Sequence, residues 1–468
     1  MIIAIGYYVI SFLVSLISPF WGLVGFVCSL LLRFQDHFPQ ITAMKPFTLL
    51  LLGMILSCMI NYKSLSKANW LQDKLLLFLF AISIIGLLLL APGTLINEAY
   101  LFLCSLSLYY FASRILKTPQ QFIILFLCMA ASICYIGYIA IEDIAINGDK
   151  SIYIDQRSGR WQGLGYYKNS NEFGQLMITT IPFLIAILLV SKNILLKLFT
   201  FSMMALMVFI MIKCASRTVI ITLALMIIGS FMLRGKGRLF KKMAIGGGIA
   251  GLMLVSLSFM PGHIQERMGT VLDANEDASF QGRTRSWGYG LDMLSWYPLT
   301  GVGKNQWQEY HGLAPHNSYI QIMAELGIFG IWIFLWLLMR SYSQTLIIFS
   351  NQSNSPPEES LNEVFSDTLN NTAANQDYHD SNLALAEKEI ENSDGDCEKQ
   401  QFIDNYSKTI TIAILVTFSA WLFYIFLGNQ GYSVWTYFYI GLCAAVKNYL
   451  PESITEKEVP LFSNENQV

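Results

Sequence analysis

The chain of 468 residues is 54% hydrophobic and only 13% charged, with a mean hydropathy of +0.48. A soluble domain carries about a quarter charged residues, so an ordinary globular enzyme is excluded and a polytopic membrane protein is indicated. The net charge of −2 names no partner, nucleic acid included.

Eight cysteines occur without a CxxC pair. Most of them (Cys28, Cys58, Cys104, Cys128, Cys134, Cys443) lie in apolar runs and read as small core hydrophobes, with no disulfide framework or zinc site implied. The first twenty residues, "MIIAIGYYVISFLVSLISPF", have neither a basic leading region nor a small-residue cleavage site, and read as a first membrane segment.

Apolar runs of bilayer-spanning length recur along the chain and predict an all-α bundle of about 12 or 13 transmembrane helices. They fall near 2–18, 20–35, 46–61, 74–91, 95–113, 120–141, 174–191, 197–213, 217–233, 243–260, 318–340, 409–427 and 433–447. The first two form a shallow hairpin or two spans. Lys and Arg in the short loops set the orientation. "NYKSLSKANWLQDK", "SRILKTP", "SKNILLK" and "RGKGRLFKK" fall on one side, expected to be cytoplasmic. Residues 142–173 and 261–317 then form large extracytoplasmic loops. The bundle is expected to occupy 1–342, and 343–408 to form an acidic cytoplasmic insert. That insert, rich in Asn, Ser, Asp and Glu, is too polar to bury a core and reads as disordered. Two closing helices over 409–447 lead to a cytoplasmic tail, 448–468.

Once the sides are set, the exceptions to the charge rule stand out. Lys213 and Arg217, in "MIKCASRTVIITLAL", sit at the outward ends of adjacent helices. Two readings fit Arg217: an arginine that snorkels to headgroup phosphates, or an anion site at the rim of the bundle. The segment 281–303, "QGRTRSWGYGLDMLSWYPLTGVG", opens with Arg283 and Arg285. Trp287, Leu291 and Leu294 follow at i, i+4 and i+7, which predicts a short amphipathic helix with these three as its apolar face. Trp296 and Tyr297 suit a helix resting on the membrane surface, and Pro298 ends it. The glycines of "TGVG" allow either an ordinary turn or a close backbone approach to a ligand. Two arginines beside such a helix suggest a phosphate clamp, because the guanidinium fork donates in pairs. His316 closes the same loop at a helix entrance. Neighbouring cations disfavour its imidazolium, leaving a neutral base. The spacing of His311 and His316 does not suit a metal. Acidic pairs such as Glu142–Asp143 and Glu276–Asp277 read as solvated loop charges.

Taken together, "GRTRSWGYGLDMLSWYPLTGVG" and "PHNSYIQIMAELGIFG" resemble the signature of the bacterial O-antigen ligase and O-antigen polymerase superfamily. In that pattern an arginine precedes a tryptophan by four residues, then come a proline-glycine turn, a His-Asn pair and an apolar helix. Arg283 and Trp287 have that spacing, and His316–Asn317 is the pair. "ASRTVIITLAL" is similar to the family's Ser-Arg segment, which places Arg217. "YKNSNEFGQLMITTIPFL" is similar to its asparagine-containing outer loop, with Asn171 at the matching place.

The resemblance implies an all-helical, metal-independent, inverting glycosyltransferase of the bacterial inner membrane, with no cofactor. It would move a glycan from undecaprenyl diphosphate to a glycan, lipid or protein acceptor at the outer face. His316 would be the catalytic base, Arg217, Arg283 and Arg285 the diphosphate site, and Asn171 and Asn317 substrate contacts. Ligase, polymerase and protein glycosyltransferase activities all occur in the superfamily. A transporter or flippase of lipid-linked glycans is the rival from another class. It would place its ionisable groups near the bilayer midplane, where Glu325 is the plainest example here.

Overall fold

The structure, a computed structural model, describes residues 1–67, 69–234, 278–354 and 405–450. Among these residues it is built from helices, and the β structure consists of one isolated antiparallel bridge, Ile154 to Trp161. Eight described helical segments are long and apolar enough to cross a membrane, and two shorter apolar ones are Ile2–Ile17 and Arg217–Ser230.

Helices α1 (Ile2–Ile17) and α2 (Pro19–Leu32) form the expected hairpin, because extended Ser18 followed by Pro19 breaks the helical run. After α2 the chain turns through Arg33 into the short α3 (Phe34–His37), then enters α4 (Pro46–Ile60). Helices α5 (Trp70–Leu90) and α6 (Leu95–Ile115) follow. Helix α7 (Pro119–Asn147) starts at a reciprocal cap, in which Thr118 and Gln121 satisfy each other's backbone N–H and Pro119 occupies the first turn. The expected span at 174–191 is two helices, α8 (Ser170–Ile178) and α9 (Ile181–Val190). Pro182 cannot donate its part of the ladder, and the break falls at Thr179–Thr180. Helices α10 (Ile194–Cys214) and α11 (Arg217–Arg234) meet at a corner where Ala215 is left-handed. The expected span at 243–260 lies outside the described residues.

Beyond it come α12 (Ala278–Trp296), the single turn α13 (Trp307–Tyr310) and α14 (Ser318–Asn354). Helix α14 runs on through residues 343–354, which the polar composition beyond had assigned to the insert; the rest of that insert, to residue 404, lies outside the described residues. The bundle closes with α15 (Asn405–Phe426) and α16 (Val434–Ala445). Every residue of α16 from Trp435 to Ala445 is buried, mainly against α6, so this last helix is the centre of the core. An all-round apolar helix in the middle of a bundle is what such a sequence must become.

The two ends of the bundle differ in charge and shape. Three of the four basic loops gather at one end. There Ser66 N–H donates to the Arg114 carbonyl, Asn69 reaches Gln344, and Gln352 reaches Ser407 beside Tyr406. Tyr406 in turn faces Lys192 across a small apolar hollow. The fourth basic loop, 234–242, lies almost wholly outside the described residues. The opposite end collects the longer loops, 148–169 and 297–317, and holds the site described next.

Candidate functional site

Residues 148–169 form a compact loop. Asp155 N–H donates to the Arg160 carbonyl (2.9 Å), and Gln162 N–H to the Tyr153 carbonyl (2.9 Å). A turn through Ser158 and Gly159 (φ 66°) closes the tip, with Gly159 N–H on the Asp155 carbonyl at 2.8 Å. Tyr153 is buried beneath it and Trp161 N–H reaches the Lys213 carbonyl (3.2 Å), so the loop is anchored at its base and on the α10–α11 corner.

That arrangement drives Arg160 inward. Its Nε donates to the Cys214 carbonyl (2.8 Å) and its Nη2 to Asn171 Oδ1 (2.9 Å). The Ser216 hydroxyl donates to the same Asn171 oxygen at 2.8 Å. Asn169 caps α8 by accepting from Asn171 N–H (2.8 Å). One amide thus joins the loop, the start of α8 and the corner that precedes Arg217.

The second wall comes from α12 and the segment that follows it. Arg283 and Trp287 stand one helical turn apart and therefore share a face. Trp287 Nε1 donates to the Pro315 carbonyl (2.9 Å), fixing the residue next to His316. Tyr289 stacks on His311 at 4.1 Å, and Trp307 Nε1 holds the Leu313 carbonyl at 2.8 Å. These contacts explain why the Arg-x-x-x-Trp and Pro-His-Asn elements occur together: the indole of the first grips the backbone of the second. His316 itself is left-handed (φ 47°), a conformation in which a residue with a Cβ is held only when its surroundings enforce it. Burial, and then the charge of Arg283, hold its imidazole below the ordinary histidine value.

Between the two walls lies a cleft of about 1290 Å³, lined among others by Asn171, Arg160, Arg283 and His316. The structure thus brings together Asn171, Arg283 and His316 from segments far apart in sequence. Arg217 opens α11 directly after Ser216 and flanks this group without lining the cleft. Arg285 is exposed and also lies off the lining, since residues two apart on a helix face different ways.

Three of the segments singled out in the sequence have local packing roles. Asn317 is buried and its side-chain oxygen accepts from Tyr319 N–H (2.9 Å) and Ile320 N–H (3.2 Å), so it caps α14. The buried face of α12 holds Ser286, Gly290 and Met293, whereas Leu291 of the expected stripe is 56% exposed. A Cβ at Gly290 would meet Ile320 at 2.5 Å, so the close contact selects small residues that carry little hydrophobic signal. Finally, the "TGVG" turn packs its backbone on helix α14. Val302 and Gly303 N–H donate to the Ala324 and Glu325 carbonyls (2.9 and 3.0 Å), and Ile328 N–H to the Pro298 carbonyl (2.9 Å). Gly301 (φ 63°) and Gly327 (φ 69°), the kink of α14, are the two glycines that permit this backbone-on-backbone packing.

Beneath the turn lies a buried ionic group. Lys304 Nζ pairs with Glu98 of α6 at 2.6 Å, and Asn305 Nδ2 donates to the same carboxylate at 3.2 Å. Glu325 accepts from Asn305 N–H (2.8 Å) and Trp307 N–H (3.3 Å). The plainest charge inside a span is therefore a structural tie between α14 and the loop.

Residue-by-residue reading of the sequence overlooked Arg160 and the cations Lys150, Arg157 and Lys168, all on the cleft. Their signal was present: four basic residues in one loop assigned to the side where basic residues are scarce.

A search of curated proteins finds no match to this chain. Residues 202–335, which include the α10–α11 corner, α12 and the start of α14, match the family model described as O-antigen ligase. The helices long and apolar enough to cross a membrane make the chain a multi-pass helical membrane protein, and its segment 202–335 is similar to the O-antigen ligase family.

Proposed function

We propose that this protein transfers a glycan from undecaprenyl diphosphate to an acceptor hydroxyl at the outer face of the bacterial inner membrane. The observation that carries the reading is the convergence of Arg283, His316 and Asn171 on one cleft, within and beside the segment that matches the family. As the glycosidic bond breaks, negative charge collects on the departing diphosphate. Arginines fixed in advance near that charge lower the barrier without reorganising, and Arg283, with Arg217 at the flank, is suited to this. Arg160 is held at the same corner and adds to the positive field. A neutral His316 accepts the proton of the acceptor hydroxyl, which frees the oxygen to attack the anomeric carbon and displace the diphosphate with inversion. The proton ends on Nδ1 or Nε2 and the electron pair of the broken bond leaves with the diphosphate.

The flippase alternative has less support. Glu98 is paired with Lys304, and Glu325 is held by the N–H groups of Asn305 and Trp307, so the ionisable groups that a transporter reading would draw on are structural ties to the loop. The test is reconstitution of the full chain with labelled undecaprenyl-diphosphate glycan and an acceptor glycan. Transfer of label to the acceptor supports the reading. Movement of the donor across the bilayer without transfer would replace it with transport.

A further inference from the structure

The cleft holds more positive charge than a diphosphate needs. Its lining includes five cationic side chains, Lys150, Arg157, Arg160, Lys168 and Arg283, against two carboxylates, Asp36 and Asp155. Both carboxylates are already engaged. Asp36 pairs with Arg33 at 2.6 Å, outside the lining, and packs against Gly165. Asp155 accepts from the Ser158 hydroxyl and from Arg157 N–H (3.2 Å), and these bonds, aided by the charges of Arg160 and Arg157, hold its carboxyl below the usual range. Arg160 is buried in the α10–α11 corner, and Arg283 stands beside His316.

Lys150, Arg157 and Lys168 remain. All three are exposed, all three line the same wall of the cleft, and among the described residues none forms a salt bridge. They are carried on a loop fixed by its own hydrogen bonds: Gln156 Nε2 donates to the Asp149 carbonyl at 2.8 Å, and the Ser151 hydroxyl to Asp143 at 2.5 Å. Like charges held this way around a cavity repel one another, and a ligand of opposite sign relieves that repulsion. The cleft, about 1290 Å³, has room for several sugar units and places that ligand beside the reacting groups Arg283 and His316.

We infer that this wall is a subsite for an acidic glycan, one whose sugars carry carboxylates or other anionic substituents, and that Lys150, Arg157 and Lys168 select it over a neutral glycan. The inference rests on the reading that the cleft holds a glycan, and it adds the class of sugar.

The test uses the full chain in phosphatidylcholine nanodiscs, with tetragalacturonate as probe and its fully methyl-esterified form as the neutral twin. The acid should bind at least about tenfold tighter than the ester, as three exposed charge contacts allow, and the preference should shrink with added salt. Lys150→Ala/Arg157→Ala/Lys168→Ala should lose that preference while melting at the same temperature, since these side chains are exposed. Farnesyl diphosphate, bound to the same discs, reports on the donor site independently. Its failure to bind, with the preference for the acid intact, would remove the transferase reading and leave the acidic-glycan subsite standing. The inference falls if the ester binds as well as the acid, or if the triple variant keeps the full preference. It also falls if the three cations hold soluble dihexanoylphosphatidylglycerol and not tetragalacturonate.

Discussion

His316 is set below its ordinary titration range by two neighbours that act in the same direction, first its burial and then Arg283. A base works in its deprotonated form, so transfer should be insensitive to pH near neutrality. It should fall only as the pH drops through a pKa below the ordinary value of about 6.5. Replacing Arg283 with Gln removes one of the two causes. The pKa then rises and the acid limb of the pH–rate profile moves to higher pH, in addition to the loss of donor binding. Arg283→Lys keeps the charge and should leave the limb in place, with binding only partly restored because an ammonium cannot donate in the paired geometry. His316→Ala should lower turnover by about 10²–10⁴-fold and abolish the limb in whatever activity remains. An acid limb that persists unchanged in His316→Ala would return this residue to a purely structural role.

At the scale of elements, the loop wall and the helix ends decide where the reacting groups stand. Asn317 is a cap, so Asn317→Ala should destabilise α14 by about 0.5–2 kcal/mol, and Asn317→Asp or Asn317→Ser should recover most of that loss in thermal melts. Donor affinity per folded molecule should not change. A large rise in donor KM at unchanged stability would place Asn317 in the substrate site as well.

The Glu98–Lys304 pair ties α6 to the turn that follows α12, and both side chains are buried. Lys304→Met leaves a carboxylate buried without its partner and should cost about 3–5 kcal/mol. Glu98→Gln/Lys304→Met removes both charges and should recover much of it; equal damage from the single and double variants would contradict the assignment. Neither role was legible in the sequence. A cap and a ligand-binding amide look alike until the helix start is seen, and a lysine next to the "TGVG" turn gives no sign that it faces a glutamate some two hundred positions earlier. The inward face of α12 was hidden for a related reason. Ser286 and Gly290 are buried because they are small, and hydrophobic periodicity does not register a contact made by the absence of a side chain.

For the whole molecule, hydropathy carried far more. The spans read from apolar runs recur as helices wherever the structure describes them, because a backbone in lipid has to satisfy its hydrogen bonds internally and the bilayer fixes the length. The departures have local causes: Pro182 splits one span, and α14 is kinked at Gly327 and runs on to Asn354. The basic loops that are described gather at one end and the cleft lies at the other, and the charge rule assigns the basic end to the cytoplasm. The transfer reading requires the cleft to face outward. Single cysteines at Gln156 and Gly312, both exposed on the cleft side, should therefore react with an impermeant maleimide added to intact spheroplasts. One at Ser64, exposed at the basic end, should react only after the membrane is opened. The described native cysteines are buried or half-buried, and Cys397, outside the described residues, is replaced by Ser in all three variants. Should Ser64 label from outside while Gln156 does not, the cleft would face the cytoplasm. A base that receives acceptors at the outer surface could then not be His316.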